Sequence, residues 1–100
     1  MSKGRGSYSR RQAIKRRLAA TERVCWLGLE PLNFKQTDHN APDFVDIDEE
    51  IPVGKGGSYN DINNCHLVCH RHNMQKGARI LPKGYYARQK PRKVLTSREW

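Results

Sequence analysis

The sequence predicts a small α+β domain, and three stretches carry that prediction. Residues 44–48, "FVDID", alternate apolar and acidic side chains with the two-residue period of a strand that buries one face. Pro52 and the glycines of "GKGG" end that strand, and "NNCHLV" (63–68) reads as its returning partner. "CHRHNMQKGAR" (69–79) has a helical composition, with Gly77 near its end as a stop signal. The order is strand, Gly-rich loop, strand, helix.

The remaining segments follow in chain order. Gly4, Gly6, Ser2 and Ser7 make residues 1–8 a flexible arm. "SRRQAIKRRLAATE" (9–22) predicts a basic helix with Ser9 as N-cap and a thin apolar stripe of Ala13, Ile14, Leu18 and Ala19. "VCWLGLEPLNF" (24–34) is an apolar cluster ending in a turn, and "KQTDHNAPD" (35–43) is a loop. The tail from Leu81 should wrap the surface, with Tyr85, Tyr86 and Trp100 as anchors. The chain thus divides into a basic arm and helix (1–23), a core (24–78) and an extended basic tail (79–100) within one compact domain.

Composition narrows the function. One hundred residues, of which 36% are hydrophobic, allow only one small core, a size at which a metal staple is common. No apolar run approaches the roughly 20 residues of a membrane span, and the basic N-terminus lacks a secretory signal's apolar stretch. Three cysteines cannot form a complete disulfide framework, so reduced thiols and a cytoplasmic location are expected.

The net charge of +9 is unevenly placed. Residues 1–23 hold eight Lys and Arg against one acid, and residues 71–100 hold nine against one. Residues 24–70 hold two against eight acids. Basic ends suit a polyanion, because cations near phosphates release condensed counterions. An acidic middle would repel that polyanion unless a divalent cation intervened. Arg10, Arg11, Lys15, Arg16, Arg17, Lys55 and Lys76 are therefore the residues expected on a phosphate-binding surface, which the resemblance below makes a DNA-binding one.

"VDIDEEIPVGKGGSYNDINNCHLVCHRHNMQKG" (45–77) resembles the HNH, or ββα-metal, nuclease motif. Asp48-Glu49 takes the Asp-His position, with Pro52 and Gly56-Gly57 following. Asn64 takes the middle Asn, Cys69-x-x-His72 a zinc knuckle, Asn73 the third active-site position and Lys76-Gly77 the usual end. The resemblance implies an HNH endonuclease that hydrolyses DNA phosphodiester bonds. Asp48 and Asn73 would hold Mg²⁺ or Mn²⁺, which suit oxygen ligands, or another divalent ion such as Ni²⁺. Asn64 would brace the loop between the strands, a catalytic positioning role. Glu49 stands where the family has its general-base histidine, a weaker base at an ordinary pKa of about 4.3, and His66 or His70 is the alternative base.

The resemblance also implies a structural Zn²⁺, for which Cys25, Cys69 and His72 are the natural ligands and His39 the candidate fourth. Gly28 stands where a second cysteine belongs. The same cysteines equally suit small buried thiols. Small chains of this layout resemble stand-alone HNH endonucleases of phages and bacteria, which would place this one in a bacterial host cytoplasm. Some of those act beside phage DNA-packaging proteins. Two rivals stand beside this reading: a non-catalytic, zinc-stapled nucleic-acid-binding protein, and a ribonuclease of the same motif.

Overall fold

The computed structural model describes residues 3–89. Its elements are α1 (Lys3–Ala19), β1 (Val45–Glu49), β2 (Cys65–Cys69) and α2 (His70–Lys76), with 3-10 turns at Val53–Lys55, Ile62–Asn64 and Ala87–Gln89. The class is α+β, in the order strand, loop, strand, helix after the first helix. Residues 90–100, including Trp100 and most of the expected tail, lie outside the described residues.

Helix α1 begins at Lys3, ahead of the expected cap Ser9, so much of the expected arm is helical. It stops at Ala19, short of Glu22, for visible reasons. The N–H groups of Thr21 and Glu22 both turn back to Leu18 O, and Arg23 Nη1 donates to Ala19 O at 2.8 Å. The Glu22 side chain leaves the helix and accepts the Leu67 N–H at 2.8 Å. Arg16 and Arg17 occupy the last turn, where cations suit the helix dipole.

Strands β1 and β2 pair antiparallel, with Val45 opposite Cys69 and Glu49 opposite Cys65. Flanking bonds fix the ladder's phase: His70 N donates to Phe44 O and Glu50 N to Asn64 O, both at 2.8 Å. The even-numbered residues of β1 therefore bond to β2, and the odd ones turn their backbone groups outward. At that outer edge, Ile47 O accepts from Arg11. The far edge of β2 is covered by residues 22–26, through Glu22 and a Trp26 N–H bond to Leu67 O at 3.0 Å.

Side-chain alternation builds the core. Val45, Ile47, Cys65 and Leu67 face Ile14 and Leu18 of α1, while Val68 meets Cys25, Leu27 and Leu81. Full burial of residues such as Leu67 and Val68 stabilises by about 1.5–3 kcal/mol each. Tyr85 and Tyr86 pack on the second cluster, and Tyr86 N–H donates to Leu27 O at 3.0 Å. Residues 81–86 are thus part of the packed body. No helix among the described residues is long and apolar enough to cross a membrane.

Candidate functional site

Two polar constellations flank α2. The first is built on a hairpin in which Val24 bridges Pro31 and Cys25 N–H donates to Glu30 O at 2.8 Å. Its turn closes through Leu29 N–H to Cys25 O at 2.7 Å, with Leu29 at φ 61, a left-handed conformation uncommon outside glycine. Cys25 and Glu30 thereby face Cys69 and His72 at the junction of β2 and α2. The donor atoms of Cys25, Glu30, Cys69 and His72 lie within 4.8 Å of one another. His72 Nδ1 stands 3.5 Å from Cys25 Sγ, 3.3 Å from Cys69 Sγ and 3.4 Å from Glu30 Oε2.

This set fits a tetrahedral metal. Bonds of about 2.0–2.3 Å to N, O and S imply tetrahedral edges of about 3.5 Å, which these separations match. Glu30 Oε1 is buried without a hydrogen-bond partner, an uncompensated acceptor that a cation would satisfy. Without a metal the thiols share their acidity unequally. Cys25 is lowered to about 5, chiefly by a hydrogen bond from Cys69, while Cys69 as donor is pushed up. A soft thiolate pair with imidazole and carboxylate can hold a metal ion, and zinc is the ion that such a set favours.

Glu30 therefore replaces His39 as the fourth member. His39 belongs to the 36–44 loop, which is tied to itself by Asn33 and Gln36 bonds to Asp43, and it packs on Phe44 with ring centroids 4.7 Å apart. Gly28 shows why the usual second cysteine is missing. A Cβ there would meet Glu30 Oε1 at 2.1 Å and His72 Cε1 at 2.3 Å. The carboxylate fills the space that a side chain at Gly28 would need.

The second constellation lies where α2 crosses the acidic face of β1. Asp46 Oδ2 meets His70 Nδ1 at 2.8 Å and accepts from Asn73 Nδ2 at 2.9 Å. Deeper in, Lys76 Nζ stands 3.1 Å from Asp48 Oδ2 and also donates to Glu49 O at 3.1 Å. Lys76 is 1% exposed, so it is a buried counter-ion and not the DNA contact that sequence suggested. Asp48 likewise does not meet Asn73. Burial raises the Asp48 carboxyl above its ordinary range, and Lys76 opposes that rise.

Glu49, the next residue, points to the α1 side of β1, where Arg11 Nη1 approaches its Oε2 to 2.6 Å. That oxygen has no aligned hydrogen bond, so the contact is an ion pair alone. The strand continues through Glu49, which separates its carboxylate from Asp46 and Asn73 on the other face. Asn64 spans the loop between the strands. Its Oδ1 accepts from Ile51 N at 3.0 Å, and its Nδ2 donates to Ile51 O and Ser58 O. Gly57 sits so close that a Cβ would come 1.6 Å from Ile51 O.

Beside β1 runs a groove of about 760 Å³, lined by Arg11, Gln12, Lys15, His39, Asp46 and Tyr59 among others. Lys15 lies over the Phe44 ring at 4.5 Å; burial lowers its pKa, and nearby Asp46 partly restores it. Arg10, Arg16, Arg17 and Lys55 are exposed. Sequence reasoning missed Glu30 and Asp46, and took His70 only as a substitute base and not as a partner of Asp46. The signal for Glu30 was an acid just before Pro31, opposite Cys25 across a short hairpin. Comparison with family models, curated proteins and solved structures returns no match.

Proposed function

We propose that the protein is a metal-dependent DNA endonuclease of the HNH type. The observation that carries this reading is the meeting of Asn73 on α2 with the acidic face of β1, beside a groove lined by Lys15 and Arg11. Hydrolysis of a phosphodiester needs charge neutralisation at the phosphoryl oxygens, which a divalent cation supplies when bound. Asn73 and an aspartate of β1 would hold that cation. Lys15 and Arg11 offer cations to the phosphates along the groove. Asn64 fixes the Ile51–Ser58 loop, and Lys76 neutralises Asp48 beneath the site.

Cleavage of supercoiled plasmid with Mg²⁺, Mn²⁺ or Ni²⁺, and its loss in EDTA, tests the proposal. Nicked or linear product that depends on the metal and falls in Asn73→Ala is the expected result. DNA binding without cleavage under every metal would favour the second reading, a zinc-stapled nucleic-acid-binding protein. That reading draws on the Cys25–Glu30–Cys69–His72 cluster and on Glu49 being held by Arg11.

A further inference from the structure

We infer that the groove beside β1 takes an unpaired stretch of DNA, with bases stacked on Tyr8 and Tyr59. Tyr8, Arg11, Gln12 and Lys15 stand at i, i+3, i+4 and i+7 of α1, so one helix face presents a ring, a guanidinium, an amide and an ammonium to the groove. That stripe is about 10 Å long at 1.5 Å per residue. Tyr59 lines the groove from the loop between the strands. Tyr8 is 66% exposed and Tyr59 42%, so neither ring serves the core. Tyr59 is nevertheless held in place. Arg11 Nη1 donates to its carbonyl at 3.0 Å, and the Arg11 guanidinium lies over its ring at 4.2 Å. Asn64 donates to the adjacent Ser58 carbonyl at 3.1 Å. A ring fixed by such contacts and still open to solvent can act as a stacking platform.

Phosphate contact alone would not need these rings. In a duplex the base faces are covered by their neighbours in the stack, and only base edges and backbone are offered. Unpaired bases expose their π-faces, and grooves for single strands combine cations along the backbone with aromatic rings under the bases. This groove has both. Asp46 is the one carboxylate among its lining residues; it already accepts from Asn73, and Arg11 and Lys15 outnumber it. The inference rests on the nuclease reading for DNA as the substrate, whereas stacking itself requires no catalysis.

Fluorescence anisotropy of the full chain, without added Mg²⁺, tests it with three labelled probes of equal length: an oligothymidine, an abasic strand that keeps the phosphates but lacks bases, and a duplex. The parent should bind the oligothymidine tightest of the three. Tyr8→Ala and Tyr59→Ala should each weaken oligothymidine binding roughly 5- to 100-fold and leave the abasic strand unchanged. Tyr8→Phe and Tyr59→Phe keep the ring and should bind as the parent does. Equal affinity of the parent for oligothymidine and abasic strand would overturn the inference, as would equal losses on both probes in the alanine variants or tighter binding of oligouridine RNA. Plasmid cut by a parent that does not distinguish the two strands overturns the stacking and leaves the nuclease reading intact. Stacking in a parent that cuts neither plasmid nor single strand with any divalent metal supports the groove and overturns that reading.

Discussion

At the residue scale the most consequential side chain is Lys76, whose ammonium is buried against Asp48. Removing one member of a buried ion pair strands the other charge, so Lys76→Met should cost about 3–5 kcal/mol, and Lys76→Met/Asp48→Leu should recover most of it. The pH dependence follows from the direction of the Asp48 shift. Burial raises its folded pKa above 3.8, so the folded state binds that proton more tightly than the unfolded chain does. Its share of stability is greatest below 3.8 and falls as pH rises through the raised folded value. With Lys76 gone, only the weaker pull of His66 opposes burial, and the fall is larger. Urea midpoints of parent and Lys76→Met should therefore lie far apart at neutral pH and converge toward about pH 4. A constant gap would mean that Asp48 is not the group being stranded.

At the element scale, the Cys25–Glu30 turn shows how a short backbone detour selects a ligand. Leu29 in the left-handed region returns the chain so that Glu30 enters the space above Gly28. Gly28→Ala should consequently lower zinc content and melting temperature, since its Cβ meets Glu30 and His72. Gly28→Cys/Glu30→Ala should regain zinc only in part, since it places a thiolate where the carboxylate was but still requires the His72 ring to shift. Metal analysis of both checks this, and unchanged zinc in Gly28→Ala would refute the packing. Cys25, Cys69 and His72 were legible as candidate ligands through the resemblance to a zinc knuckle, although the two cysteines equally suited small buried thiols. Glu30 was not, because its position depends on one residue's φ. The strands were legible from alternation and from Pro52, but the choice between Asp46 and Asp48 was not. Both lie on one face of β1, and only the stacking of His70, Asn73 and Lys76 along that face assigns each a partner. The helix rises about 4.5 Å per three residues and the strand about 6.6 Å per two, so small shifts in crossing decide the pairing.

At the scale of the whole molecule, α1 is both a wall of the core and the chief carrier of positive charge. Ile14 is buried in it, so deleting residues 1–17 would remove part of the core and destabilise the protein. Charge must be tested by substitution. Arg10, Arg16 and Arg17 are exposed, whereas Arg11 and Lys15 are partly buried and engaged with Glu49 and Phe44. Exposed arginines are free to release counterions from a DNA backbone, and each phosphate neutralised adds about 0.9 to the slope of log affinity against log salt. Arg10→Gln/Arg16→Gln/Arg17→Gln should reduce that slope by up to about 2.7. Its melting temperature should stay close to the parent's, because exposed arginines contribute little to folding. Fluorescence anisotropy with duplex DNA over a series of salt concentrations measures the slope. An unchanged slope would place the DNA on another face, leaving Lys15 and Arg11 as groove residues without a phosphate path leading to them.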